Sequence, residues 1–505
     1  MGPGTKVAII GAGVSGLVAV KSCLEGDLQP ICYEQFDNIG GLWSPTEEYR
    51  EGQGARLYEN LISIFSKDMF AFSDFPFSQD TPPCLTHATI FKYLQRYCDE
   101  NNLRKHIRLG TKVKKIRRSG DYELSGKWVV EAEDSEGVDT STYDYLLICS
   151  GFFKSSRIPD IDGLGTFLGP IDHSKTFWNG QKYREKTVLV VGNSNSAGEI
   201  AVDISKYAKK VYLSVGQGTW VLPRVATGGS PLDQLLYRRS NYKSLAKLDG
   251  LMCSIANSRI NHNTSGLAPP GPPSQGRTMI NDDIQLLILC GKIVIVGQLI
   301  RLGEQEAEFV DRALVKSVDA ILFATGYDWS LEFLDENVEG DEGNLPFYKM
   351  VFPVSLPRQS LAVIGCVDPE GPIPPVTELQ CRLAVRVFNG KHKLPRLKVM
   401  LKDIKKWDDY VLEKFGRFKY RLPHIPYRDE LAKELGVTPS WGDLIKAGPW
   451  LAYQYFFGPA FSYFHRIWGP NKWPGAKSAI FSALHHGLNT RQTVKVQSQT
   501  VRNRL

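Results

Sequence analysis

Nine cysteines are scattered along the 505 residues, with neither C-x-x-C nor C-x4-C spacing anywhere. That dispersal argues against a zinc site and against a dithiol-disulfide reductase, both of which need thiols a few residues apart. An odd count in so long a chain also fits a reducing compartment better than a disulfide framework. Long apolar runs are equally scarce. No charged segment leads into one at the N-terminus, so Val7 to Ile10 reads as a strand and not a signal peptide. At the other end, Thr490 to Leu505 is polar and carries Arg491, Lys495, Arg502 and Arg504. Spanning a bilayer takes about 20 apolar residues, so no transmembrane tail is expected. Nor does one sign of charge dominate: the net charge is +7, and basic clusters such as Lys112 to Arg118 lack interleaved aromatics. Such a cluster reads as the solvated side of a strand, and no nucleic-acid partner is expected.

What is present starts at Lys6. A short buried strand, Lys6 to Ile10, runs into Gly11-Ala12-Gly13-Val14-Ser15-Gly16, a G-x-G-x-x-G motif that opens a helical pattern. Gly11 permits the sharp turn, Gly13 has no Cβ to hold off a pyrophosphate, and Gly16 lets helix and strand pack closely. The phosphates then meet free N–H groups at the positive end of the helix dipole. Glu34 ends the next strand, eighteen positions past Gly16, where it can accept hydrogen bonds from a ribose diol.

A second unit repeats the plan 181 positions later. Val188 to Val191 is again a buried strand, and Gly192-Asn193-Ser194-Asn195-Ser196-Ala197 again opens a helix, with Ser194 and Ala197 in place of two glycines. The following strand, Val211 to Ser214, lacks a terminal acid, which permits a ribose 2′-phosphate. Arg224 is placed to clamp that phosphate, or else makes an ordinary ion pair. Two such units imply two dinucleotides.

Between and beyond them, Tyr58 to Met69 reads as a loop and short helix lying over the first cofactor. Tyr143 to Gly151 returns the chain to the first sheet, as does Leu361 to Gly365. The fold class expected is α/β with two Rossmann-like dinucleotide-binding domains, a helical insertion at about 230–276 and an aromatic-rich C-terminal region. Residues 1–155 with 330–445 form the first domain, 156–329 the second, and 446–505 a region for a substrate tunnel or membrane contact. Within it, Pro449 to Trp468 suits a tunnel, an interfacial contact or a core segment.

Phe167-Leu168-Gly169-Pro170-Ile171-Asp172-His173-Ser174-Lys175-Thr176-Phe177 resembles the F-x-G-x-x-x-H-x-x-x-(F/Y) fingerprint of the flavin-containing monooxygenases. With Gly40-Gly41-Leu42-Trp43, both glycine motifs, Phe323 to Tyr327 and Trp473 to Ala476, the likeness covers almost the whole chain. The resemblance implies FAD in the first domain and NADPH in the second. NADPH would reduce FAD, O2 would add to give a flavin hydroperoxide, and a nitrogen or sulfur of a small lipophilic nucleophile would take one oxygen. By position, Gly11, Gly13, Gly16, Glu34, Gln35, Gly41, Leu42 and Trp43 would hold FAD, and Gly192, Ser194, Asn195, Ser196 and Arg224 would hold NADPH. Thr325 and Gln380 fall near the cofactors, and Asn195 also joins the catalytic set. His173 is a linker histidine fixing the domain angle, with acid-base catalysis as the alternative.

One departure stands out. The family's usual asparagine beside the flavin aligns with Ile64, whose side chain can neither donate nor accept a hydrogen bond. Asn60, about one helical turn earlier, is the candidate substitute. Oxygenation at nitrogen or sulfur therefore stands beside three alternatives: a Baeyer-Villiger monooxygenase, disfavoured by Phe177 where that class has Trp, an uncoupled NADPH oxidase, and a flavin-binding scaffold without turnover. The expected location is the cytoplasm or the face of the endoplasmic reticulum membrane, with peripheral membrane contact and a homodimer left open.

Overall fold

Val7 to Ile10 are all buried, because helices pack on one face of this parallel strand and an antiparallel layer of strands on the other, leaving no solvent side. Lys6–Ile10 is the middle of a five-stranded sheet in the order Leu361–Val363, Tyr145–Ile148, Lys6–Ile10, Gln29–Tyr33, Ile107–Arg108, with every pair parallel. A second parallel sheet repeats the plan: Ile171–His173, Ala320–Phe323, Thr187–Val191, Lys210–Ser214, Ile293–Val296. Each glycine motif follows its central strand, where strands on either side leave a crevice for a ligand. The computed structural model describes residues 4–486, apart from 47, 277, 337, 339–345 and 416–420.

The connection from the first sheet carries an antiparallel layer of Lys112–Arg118, Trp128–Asp134 and Gly137–Tyr143. Lysines and arginines of the first of these strands face solvent and pair with carboxylates, Lys114 with Glu133 and Lys115 with Asp335. Two parallel strands, Trp220–Leu222 and Thr278–Ile280, bracket the helices Leu232–Leu236 and Leu245–Asn257. Leu361–Val363 pairs with Tyr145–Ile148 and so returns the chain to the first sheet.

Two elements differ from the sequence reading. Ile62–Ser66, taken there as loop and helix, is a strand paired with Cys84–Thr86, and only Lys67–Phe70 is helical. Its β-branched residues favour extended backbone, and the pairing supplies its hydrogen bonds. Pro449 to Trp468 is part exposed and part core. Helix Pro449–Phe457 exposes Trp450, Tyr453 and Phe457, whereas Ala460 to Arg466 are buried. The polar tail at 490–505 lies outside the described residues. Among those described, no helix is long and apolar enough to cross a membrane.

Candidate functional site

Both glycine motifs open into one cavity of about 860 Å³. At its first end the three glycines play different parts. Gly11 has φ +98° and packs so tightly that a Cβ would lie 2.7 Å from the Cys149 carbonyl oxygen. A Cβ on Gly16 would sit 1.8 Å from the carbonyl oxygen of Gly11, so only glycine lets the helix Val14–Glu25 start there. Gly13 is different. Its missing Cβ faces the cavity, with only Gly41 within 4 Å, which is the cradle a pyrophosphate needs.

Glu34 is buried at the end of Gln29–Tyr33. The N–H groups of Ala12 and Phe36 donate to its two carboxylate oxygens at 2.8 and 3.1 Å. Burial raises its proton affinity and these backbone bonds oppose the rise. The bonds fix the carboxylate at the cavity wall, with lone pairs left for ribose hydroxyls. Gln35 lines the same wall and donates to the Gly52 carbonyl at 3.3 Å. Gly41–Trp43 forms a single 3-10 turn across from Gly13, with Trp43 edge-on to Phe70 at 5.6 Å. The residues present fit a dinucleotide.

At the second end, Gly192 has φ +153° and a Cβ there would meet the Ala324 carbonyl oxygen at 2.6 Å. Ser194 is the residue before helix Asn195–Ser205, with a hydroxyl that caps nothing, and Asn195 and Ser196 line the cavity. Gly192 and Ser194 shape the turn without lining the cavity themselves. Arg224 makes ion pairs, the alternative its place in the sequence allowed. Its guanidinium donates to Glu199 at 2.6 Å, to Asp282 at 3.1 Å, and to the carbonyls of Ile62 and Ser63 at 3.0 and 3.3 Å. Two carboxylates and two carbonyls occupy the fork that a 2′-phosphate would need, and they make Arg224 a strut between the second unit and the Ile62–Ser66 strand.

Ile64 lines the cavity, as do Ser63 and Phe65 beside it. Asn60 does not. The segment is a strand and not a helix, and Asn60 is exposed and donates to Asp203 at 3.0 Å, so it cannot substitute for a polar group at position 64. Thr325 and Gln380 also stand back from the cavity. The Thr325 hydroxyl donates to the Arg157 carbonyl at 2.5 Å. Gln380 is fully buried, accepting from the Gly365 N–H at 2.9 Å and donating to Tyr427 at 2.8 Å. It holds Gly365, whose backbone does line the cavity. His173 is buried edge-on to Tyr327, and its Nδ1 accepts from the Lys175 N–H. Burial pushes it down to about 4, so the ring is neutral at neutral pH.

Sequence reasoning missed Glu199, and it placed Tyr58 only within the stretch over the first cofactor. Both line the cavity beside Asn195, and Glu199 takes 2.6 and 2.7 Å bonds from Arg224 and Asn281. Burial raises the Glu199 carboxyl above its ordinary range, and Arg224 opposes the shift. The signal was available: Glu199 follows Asn195 by four positions, one turn along the same helix face.

The flavin-binding monooxygenase-like family model matches residues 4–504. Flavin-containing monooxygenase 1 of dog (Canis lupus familiaris) is 36% identical over 503 residues, covering 97% of this chain and 94% of that protein. Human flavin-containing monooxygenase 2 is 34% identical over 499 residues, covering 97% and 93%. Among solved structures, S-allyl-L-cysteine S-oxygenase from Allium sativum superposes with a TM-score of 0.67 at 20% identity, over 96% of this chain and 99% of that one. A cyclohexanone monooxygenase from Rhodococcus sp. Phi1 bound to NADP+ gives 0.58 at 16% identity, over 86% and 97%.

Proposed function

We infer the reaction from one premise: the chain belongs to the flavin-containing monooxygenase family and is a flavoprotein oxidoreductase. We propose that it binds FAD at the first glycine motif and NADPH at the second, and oxygenates nitrogen or sulfur of small lipophilic nucleophiles. One observation carries this reading. Gly13, Glu34, Ile64, Asn195 and Glu199 line a single cavity, so two dinucleotides bound at opposite ends would meet in its middle. When bound, the flavin supplies the redox chemistry, taking hydride from the coenzyme and activating O2 for transfer of one oxygen atom.

The chain's own residues bind, orient and exclude water. The N-termini of helices Val14–Glu25 and Asn195–Ser205 present free N–H groups to the two pyrophosphates. Glu34 holds the ribose of FAD. The apolar side chains of Leu61, Ile62, Ile64, Phe65, Phe70 and Ile373 line the same cavity and would help exclude water once both coenzymes are seated. The absence of an acid after Lys210–Ser214 leaves room for the 2′-phosphate, without Arg224 as its clamp.

The second reading is an uncoupled NADPH oxidase, and Ile64 favours it, because the wall offers no side-chain hydrogen bond at that position. Purified FAD-loaded protein given NADPH, O2 and either a methyl aryl sulfide or a cyclic ketone tests both. Sulfoxide formed in step with NADPH consumed supports the N- or S-oxygenase. Lactone from the ketone replaces it with the Baeyer-Villiger reaction, and stoichiometric H2O2 without product replaces it with the oxidase.

A peripheral location at the endoplasmic reticulum membrane draws support from one surface. Trp441, Ile445, Trp450, Tyr453, Phe457 and Phe481 are exposed on three neighbouring helices, with Trp450 and Phe481 6.1 Å apart. Exposed Lys446, Lys472 and Lys477 lie on the same helices and the turn between them, a composition suited to an anionic lipid surface. Co-flotation with anionic but not zwitterionic vesicles is expected. A salt-independent dimer in sedimentation, with no flotation, would assign the same surface to a homodimer instead.

A further inference from the structure

Helix Asn195–Ser205 brings two polar side chains to the cavity wall one turn apart, Asn195 and Glu199, and each is only half satisfied. The Ile280 N–H donates to Asn195 Oδ1 at 2.8 Å. That bond fixes which way the amide faces and leaves its Nδ2 with no acceptor among the described residues. Arg224 Nη2 and Asn281 Nδ2 donate to one oxygen of Glu199, Oε1, at 2.6 and 2.7 Å. The other, Oε2, receives no hydrogen bond from the described residues, although the side chain is only 13% exposed. A carboxylate oxygen so little exposed gains most from a ligand that brings it an N–H or O–H.

We propose that Asn195 and Glu199 form a donor-acceptor pair for the primary carboxamide of the nicotinamide coenzyme. Asn195 Nδ2 donates to the amide oxygen, and Glu199 Oε2 accepts from the amide NH2. This assignment rests on the coenzyme reading above and adds the residues that orient its reactive end.

Three features support it. The two side chains offer one donor and one acceptor on the same helix face, which matches a primary amide and does not fit a phosphate, which has no hydrogen to give the carboxylate. Glu199 is held still: the Arg224 guanidinium that grips it also donates to the Ile62 and Ser63 carbonyls, so the carboxylate is fixed relative to the strand carrying Ile64. Finally, the Ile64 side chain has no polar atom to offer the carboxamide, and Asn195 and Glu199 supply side-chain partners elsewhere in the same wall. Glu199 is thus a positioning residue for hydride transfer through its hold on the ring's substituent.

The test compares NADP+ with its 3-acetylpyridine analogue, which keeps the carbonyl but has a methyl where the carboxamide has NH2. Binding to the oxidised, FAD-loaded protein is followed by perturbation of the flavin absorbance, so no turnover is needed. Wild-type protein is expected to bind the analogue roughly tenfold or more weakly, the usual loss when a charged acceptor goes unpaired. In Glu199→Gln the cavity is offered an amide N–H2 in place of the free oxygen, so NADP+ weakens by a similar factor and the preference over the analogue falls to near one. Asn195→Ala weakens both dinucleotides alike, since both keep the carbonyl. Equal binding of NADP+ and the analogue by the wild type overturns the proposal. The control is 2′,5′-ADP, which has no nicotinamide; followed by titration calorimetry, it is expected to bind wild type and Glu199→Gln equally. Should it fail to bind the wild type, the coenzyme reading itself falls. If Glu199→Gln does not fold, the wild-type ratio still decides.

Discussion

Ile64 carries the sharpest consequence of any single residue, because it places a hydrocarbon where the family resemblance implies an amide. Restoring a hydrogen bond in a dry site is worth about 1–3 kcal/mol, or roughly tenfold to a hundredfold in a rate. Ile64→Asn is therefore expected to raise the oxygenated product formed per NADPH consumed, with H2O2 falling to match; an unchanged ratio would show that this wall position does not control coupling. His173 gives a pH signature of a different kind. Its pKa falls from an ordinary 6.5 to about 4 on folding because burial disfavours the charged ring. The unfolded chain then binds the extra proton between those values, so this group's contribution of about 3 kcal/mol is present above pH 6.5 and is lost as pH falls towards 4. Asp68 and Asp233, each raised to about 6 by burial, run the other way, so the quantity to measure is the difference in urea stability between wild type and His173→Asn across that window. The difference is expected to shrink on acidification. At this scale the sequence was uneven. Glu34 was legible because a strand end and a fixed offset from Gly16 place it, whereas the partners of Arg224 and Asn60 were not. Their partners, Glu199, Asp282 and Asp203, come from distant segments that no local spacing reveals.

At the scale of elements, each strand-turn-helix unit was readable because its signals are local: a buried apolar run, glycines at fixed offsets and the start of a helical period. The strand Ile62–Ser66 was not, since its pairing partner Cys84–Thr86 lies across the helix Lys67–Phe70 and a further stretch of loop. The glycine unit makes a paired prediction. Gly16→Ala puts a methyl 1.8 Å from a backbone oxygen, and because that neighbour is main chain it cannot swing aside. The turn must open, and the variant is expected to purify without flavin and with a lowered melting temperature. Gly13→Ala meets only Gly41 at 3.5 Å, and Gly13 has φ −73°, which alanine adopts readily. The stability of its flavin-free form should stay within about 1 kcal/mol of wild type. Its flavin content after dialysis should fall, because the methyl stands where the pyrophosphate approaches. Equal flavin retention in Gly13→Ala and wild type would remove Gly13 from the cradle.

Across the whole molecule, the first nucleotide unit is tied to the C-terminal region by a buried ionic cluster that no motif announces. Arg466 donates to Ser73 Oγ at 2.8 Å and pairs with Asp74 at 2.8 Å, Glu378 at 3.1 Å and Glu25 at 3.1 Å, while Lys21 pairs with Asp74 at 2.5 Å. These residues come from the helices Val14–Glu25 and Ile373–Phe388, the loop between Phe72 and Phe75, and the 3-10 turn Ser462–Arg466. The first two elements line the cavity through Val14, Ser15, Ile373 and Pro374, so the cluster fixes the floor on which the flavin would rest. Removing the guanidinium leaves three carboxylates facing one another with only Lys21 and, further off, Arg382 to offset them, which costs about 3–5 kcal/mol in a buried site. Arg466→Met is expected to lower stability by that order and to weaken flavin retention with it. The pH dependence separates this cause from simple loss of packing. In the wild type, burial pushes Asp74 up, but Arg466 and Lys21 outweigh it and leave its pKa below the ordinary 3.8. Asp74 therefore stabilises the fold above that pH and loses its contribution as pH falls through the depressed value. Without Arg466, Asp74 keeps the burial that raises its pKa and loses the strongest cation opposing it, so the variant gains on acidification where the wild type loses. The stability gap should be widest near neutrality and narrow as pH approaches 4 in urea titrations; a gap independent of pH would assign the loss to packing alone.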